Sequence, residues 1–87
     1  MFSIIVYDVS IKRVSKVCQF LRQYLNWIQN SVFEGEITES QFFTIKEKLK
    51  EIIDKNEDSI IIYLFISEKI LKKEHLGIIK VEPSFVI

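Results

Sequence analysis

The chain has 87 residues, about half of the roughly 150 expected of a typical domain, and twelve Lys+Arg balance twelve Asp+Glu to a net charge of zero. Hydrophobic residues make up 48%, with sixteen Ile, two Gly, one Pro, one Cys and no Ala. These figures exclude a disordered tail, a Gly/Pro low-complexity segment, a disulfide scaffold and a polybasic protein that holds nucleic acid by bulk charge.

Residues 1–9, MFSIIVYDV, are rich in β-branched and aromatic side chains and predict a strand. Both parities are apolar, Ile4 and Val6 against Ile5 and Tyr7, so the strand is expected to be covered on both faces. Lys12 to Leu25 predicts a helix with Val14, Val17, Cys18, Leu21, Tyr24 and Leu25 on one face and Ser10 as N-cap. Trp27 to Ile37 is extended, with a turn at Asn30-Ser31. Thr38 and Gln41 fit a capping box that opens a second helix, whose buried stripe is Phe42, Ile45, Leu49, Ile52 and Ile53. Asp54 to Asp58 is a polar stop, and Ser59 to Ile66 is a strand without polar alternation. Ser67 to Gly77 is charged and irregular or briefly helical, Ile78 to Val81 predicts a last short strand, and an apolar tail follows Pro83.

The order is that of an α+β, ferredoxin-like βαββαβ sandwich with an extra C-terminal strand. A single domain over 1–87 is expected, with its core in 2–66 and an extension over 67–87. Two helices cover one face of such a sheet, yet the first and fourth strands are apolar on both. A second copy of the chain is the simplest cover for the open face, giving a homodimer through the sheet faces. The lone Cys18 favours a reducing, cytoplasmic setting. No signal peptide is expected, and the apolar runs are too short to span a bilayer.

Asp8 is the first candidate for chemistry, since strand ends are where such folds place reactive groups. It also reads as an ordinary loop residue or helix cap. One carboxylate makes a poor magnesium site, whereas two Asp8 side chains near a dimer axis would make a pair. Lys12, Arg13 and Lys16 follow in sequence and could share a phosphate-binding edge with Asp8, or simply form a solvated face. His75 lacks a partner for a triad or zinc site and reads as a surface residue. Cys18 reads as an inert core thiol, and Gly35 as a bulge or a close approach.

VYDV at Val6 to Val9, KRVSKVCQFLRQYL, IQNSVFEGEITESQF at Ile28 to Phe42, and EDSIIIY at Glu57 to Tyr63 occur in the order of a known family. In these runs the chain resembles the small CRISPR-associated adaptation subunit, the Cas-two family of endoribonucleases. The resemblance implies a ferredoxin-like homodimer joined through the open sheet faces, with Ile78 to Val81 pairing to the partner's sheet. It implies a magnesium-dependent nuclease acting on RNA or duplex DNA, with Asp8 as metal ligand and catalytic carboxylate. It further implies spacer acquisition, in which the dimer bridges integrase subunits of the Cas-one family. A purely structural DNA-binding adaptor is the alternative, and a ferredoxin-like dimer of unrelated role is a third. The chain departs from many members at Trp27, where they carry a basic residue.

Overall fold

The computed structural model describes residues 1–80. The order is β1 (Phe2–Asp8), α1 (Ile11–Leu21), β2 (Asn26–Gln29), β3 (Val32–Glu36), α2 (Glu39–Ile52) and β4 (Ser59–Phe65), followed by a 3-10 turn at Glu68–Ile70. The strands form one sheet in the order β2-β3-β1-β4, and every neighbouring pair is antiparallel. This is the expected α+β, ferredoxin-like arrangement.

The local sequence accounts for each element. Ser10 caps α1, its hydroxyl accepting from the Lys12 N–H at 3.3 Å. α1 ends at Leu21, four residues before the expected Leu25. Residues 22–24 form a turn, closed by the Leu25 N–H donating to the Leu21 carbonyl at 2.8 Å. At α2 the capping box is complete: the Gln41 N–H donates to Thr38 Oγ1, and the Thr38 N–H to Gln41 Oε1, each at 3.0 Å. The β2–β3 hairpin turns at Asn30, whose φ of 44° is one that Asn tolerates. Trp27 clips that hairpin, its indole N–H donating to the Asn30 carbonyl at 3.0 Å.

The core lies between the two helices and one sheet face. Ile5 and Tyr7 of β1 and Phe33 of β3 meet Val17 and Leu21 of α1, Leu25, Ile37, and Ile45 and Leu49 of α2. Gly35 is a close approach: a Cβ there would lie 3.2 Å from Leu25 Cδ2. The irregularity in strand register falls in β2 instead, between Trp27 and Gln29.

Strand alternation puts Ile4, Val6 and Asp8 on the other face. Val6 lies opposite Ile61, and Ile4 opposite Tyr63, so these four residues form an apolar strip. Ile61 and Tyr63 are each 49% exposed, so the helices leave this face open in the single chain. In the segment after β4, Lys73 is ion-paired with Glu34 on this face. Ile78 to Lys80 forms no strand in the isolated chain, contrary to the expected fifth strand. A short segment with no neighbour to accept its hydrogen bonds has no reason to be one. Val81 and the apolar tail lie outside the described residues.

Candidate functional site

Asp8 ends β1, and its partner across the ladder is Ser59, the first residue of β4. The side chain is exposed and belongs to the register of the open apolar face. No described group forms a hydrogen bond or ion pair with its carboxylate. The described residues contain no cluster of three or more His, Cys, Asp or Glu able to hold a metal. One chain therefore offers magnesium a single carboxylate, with Ser59 as its ladder neighbour. That donor set suits a hard cation only when other oxygens complete it, from waters, phosphates or a second carboxylate.

The turn that follows Asp8 is held by Asp58, from the loop between α2 and β4. Asp58 accepts the Ser10 N–H at 2.8 Å and the Asp54 N–H at 2.9 Å. It also accepts Arg13 twice, Nε to Oδ2 at 2.5 Å and Nη2 to Oδ1 at 3.1 Å. Arg13 Nη2 reaches Glu57 as well, at 2.7 Å. The Asp58 side chain is fully buried and that of Arg13 is 19% exposed. The Arg13 hydrogen bond, with smaller help from the two backbone N–H groups, holds the Asp58 carboxyl well below the usual carboxylate range against the opposing effect of burial. Arg13 is correspondingly held above the usual guanidinium range, chiefly by Asp58 and then by Glu57.

Arg13 is thus paired with two carboxylates and anchors the β1–α1 turn to the α2–β4 loop. Asp58 was not a candidate from sequence, where DKNED reads as a polar stop. Its only local signal is its place one residue before β4.

Lys12 and Lys16 are exposed and unpaired among the described residues. They line an open groove of about 480 Å³ between α1 and α2, within the helical layer. Asp8 belongs to the register of the open sheet face, whereas the groove lies on the helical layer. His75 is exposed, with Nε2 2.9 Å from the Ile78 carbonyl. Cys18 is half-buried, its Sγ 2.9 Å from Tyr7 Oη. Trp27 packs against the core and clips the hairpin, a structural use of the position where many members carry a base.

The model of the family "CRISPR associated protein Cas2" matches residues 1–74. The chain belongs to the Cas2 family. A CRISPR-associated endoribonuclease Cas2 from Methanosarcina acetivorans is 51% identical over 87 residues, all of both chains. One from Pyrococcus furiosus is 56% identical over 80 residues, 92% of each chain. Among solved structures, a crystal structure of Cas2 superposes with a TM-score of 0.84 at 40% identity, covering 94% of this chain and 92% of that one. Streptococcus pyogenes Cas2 gives 0.75 at 35% identity, covering 88% and 100%. The Cas2 fold expected from the sequence motifs is thus the fold of the chain. No described helix is long and apolar enough to cross a membrane.

Proposed function

We propose that the chain works as a homodimer in CRISPR adaptation, binding nucleic acid and bridging integrase subunits, with magnesium-dependent phosphodiester hydrolysis at paired Asp8 carboxylates. One observation carries this reading. Asp8 stands at the end of the same sheet face that presents Ile4, Val6, Ile61 and Tyr63. A second copy that covers this face brings its own Asp8 toward the same boundary. Each chain then supplies half of a two-carboxylate site, which one chain lacks. The paired Asp8 carboxylates would hold magnesium, which when bound would supply an activated water and charge stabilisation at the attacked phosphate. The residues themselves contribute two carboxylate ligands and a rigid mount, because Asp58 and Arg13 brace the turn after each Asp8. Ile78 to Lys80, which form no strand among the described residues, would gain a strand neighbour in the dimer. The endoribonuclease name of the relatives supports RNA as a substrate class, with duplex DNA as the alternative.

The test compares Asp8→Asn with wild type on labelled RNA and duplex DNA, in magnesium and in EDTA, from preparations of equal purity. Loss of cleavage in the variant and in EDTA is expected; equal residual cleavage in all four conditions on each substrate refutes the enzyme reading.

A second reading, a DNA-binding adaptor without physiological nuclease activity, is favoured by Lys12 and Lys16, which are exposed on the helical layer and unpaired among the described residues. Spacer acquisition in cells carrying Asp8→Asn separates the two. Retained acquisition supports the adaptor, and lost acquisition with an intact integrase complex refutes it in its pure form.

A further inference from the structure

The groove between α1 and α2 is the part of the helical layer best equipped to meet an anion. Lys12 and Lys16 stand one helical turn apart on α1, and Lys48 faces them from α2. Gln19 and Gln23 continue the α1 side, and Phe20 lines the groove with them. All three lysines are exposed. Lys12 and Lys16 have no ion-pair partner among the described residues, and Lys48 has only a loose one, Glu51 at 3.8 Å. The first turn of α1 holds no acidic residue. The fold thus leaves uncompensated positive charge here, although the whole chain is neutral.

The neighbouring cation shows what compensation looks like. Arg13 borders the same groove, but its charge is taken up by Asp58 and Glu57. The sheet face, if closed by a second copy, is unavailable to a ligand. The helical layers then form the outer surfaces of the dimer.

We infer that the α1–α2 groove is a sequence-independent binding site for the phosphate backbone of nucleic acid, held by Lys12, Lys16 and Lys48 and separate from the Asp8 face. The inference rests on the nucleic-acid reading above and adds where the backbone lies. Lysines act as point charges on phosphate oxygens, and the two glutamine amides can donate to the same oxygens. None of these groups carries base-sequence information. Glu51 opposes the ligand, so it limits affinity.

The experiment measures fluorescence anisotropy of the full chain with a labelled duplex DNA and a labelled single-stranded RNA, across a salt series. Lys12→Gln/Lys16→Gln/Lys48→Gln is compared with a control, Lys50→Gln/Lys55→Gln/Lys69→Gln, that removes equal charge elsewhere. Circular dichroism and thermal midpoints verify that both variants fold. The groove variant should bind at least about tenfold more weakly, with a salt slope shallower by about 0.9 for each duplex phosphate it no longer neutralises. The control should be weakened far less, and Glu51→Gln should bind more tightly than wild type. Weakening on duplex alone or RNA alone names the preferred backbone and upholds the site. If wild type binds and the groove variant matches it in affinity and slope, or the control falls as far, the groove assignment is overturned. If wild type binds neither probe, the nucleic-acid reading itself fails and takes this inference with it.

Discussion

Arg13 and Asp58, 45 residues apart in sequence, form a two-pronged ion pair whose shorter bond is 2.5 Å, with the carboxylate fully buried. The pair ties the turn after β1 to the loop before β4, and thereby fixes both chain segments that flank Asp8 and Ser59. Removing Asp58 takes away both prongs of the Arg13 pair and the acceptor of the Ser10 and Asp54 N–H groups, although Glu57 still pairs with Arg13, and together these cost more than a surface pair is worth. Asp58→Ala should lower the thermal midpoint more than Lys50→Ala, which breaks only the exposed pair with Glu47. Differential scanning calorimetry of the two variants checks this order.

The same pair predicts an acid limb in stability. The folded Asp58 carboxyl titrates well below its unfolded counterpart, which titrates at about 3.9. Its contribution is therefore complete above the unfolded value and is lost as pH falls from there toward the folded one. Urea unfolding of wild type should show stability declining as pH drops below about 4. Asp58→Asn should be less stable at neutral pH and flatter across that window. Equal slopes for both proteins would reject Asp58 as the source.

Ser3 Oγ is buried and has no hydrogen-bond partner among the described residues. An unsatisfied hydroxyl is a desolvation cost with no return. Ser3→Ala removes it without creating a large cavity and should stabilise the protein by about 1 kcal/mol. Urea midpoints at constant m-value measure the change.

Gly35 admits Leu25 at a distance that a side chain would contest. Leu25 is buried in the core and has little room to yield. Gly35→Val should destabilise by about 1–3 kcal/mol through overpacking, despite the preference of valine for strands. Chemical denaturation checks the sign, and a stabilised variant would contradict this account of the site.

Ile61 and Tyr63 are half-exposed in the single chain, so charge is tolerated there by the monomer fold. Ile61→Glu/Tyr63→Glu should retain its circular dichroism spectrum yet behave as a monomer at micromolar concentration, where wild type is expected to dimerise. Light scattering distinguishes the two, and a wild-type monomer would remove the basis for the paired Asp8 site.

Much of the fold is legible in local patterns. The Thr38–Gln41 capping box, the Asn30 turn, the two-sided apolarity of β1 and the stripe through Ile45 and Leu49 are short-range signals, because caps, turns and periodicity are set within a few residues. Asp8 was legible for the same reason, as the polar residue that ends an apolar strand. The end of α1 was not, since Leu25 keeps the helical spacing of the buried stripe after the helix has given way to the turn at residues 22–24.

The even balance of charge excluded binding by bulk charge and left open where individual charges lie. That distribution depends on contacts between residues far apart in the chain, to which no local pattern is sensitive. Arg13 and Lys16 are alike as neighbouring bases on one helix. Only the packing of α1 against the α2–β4 loop makes Arg13 a strut on Asp58 and leaves Lys16 facing a groove opposite Lys48. By itself the sequence determined the element order, the apolar excess that calls for a covered second face, and the family. The tertiary structure decided which cations are already compensated, because only the folded chain brings a carboxylate 45 residues away within bonding distance.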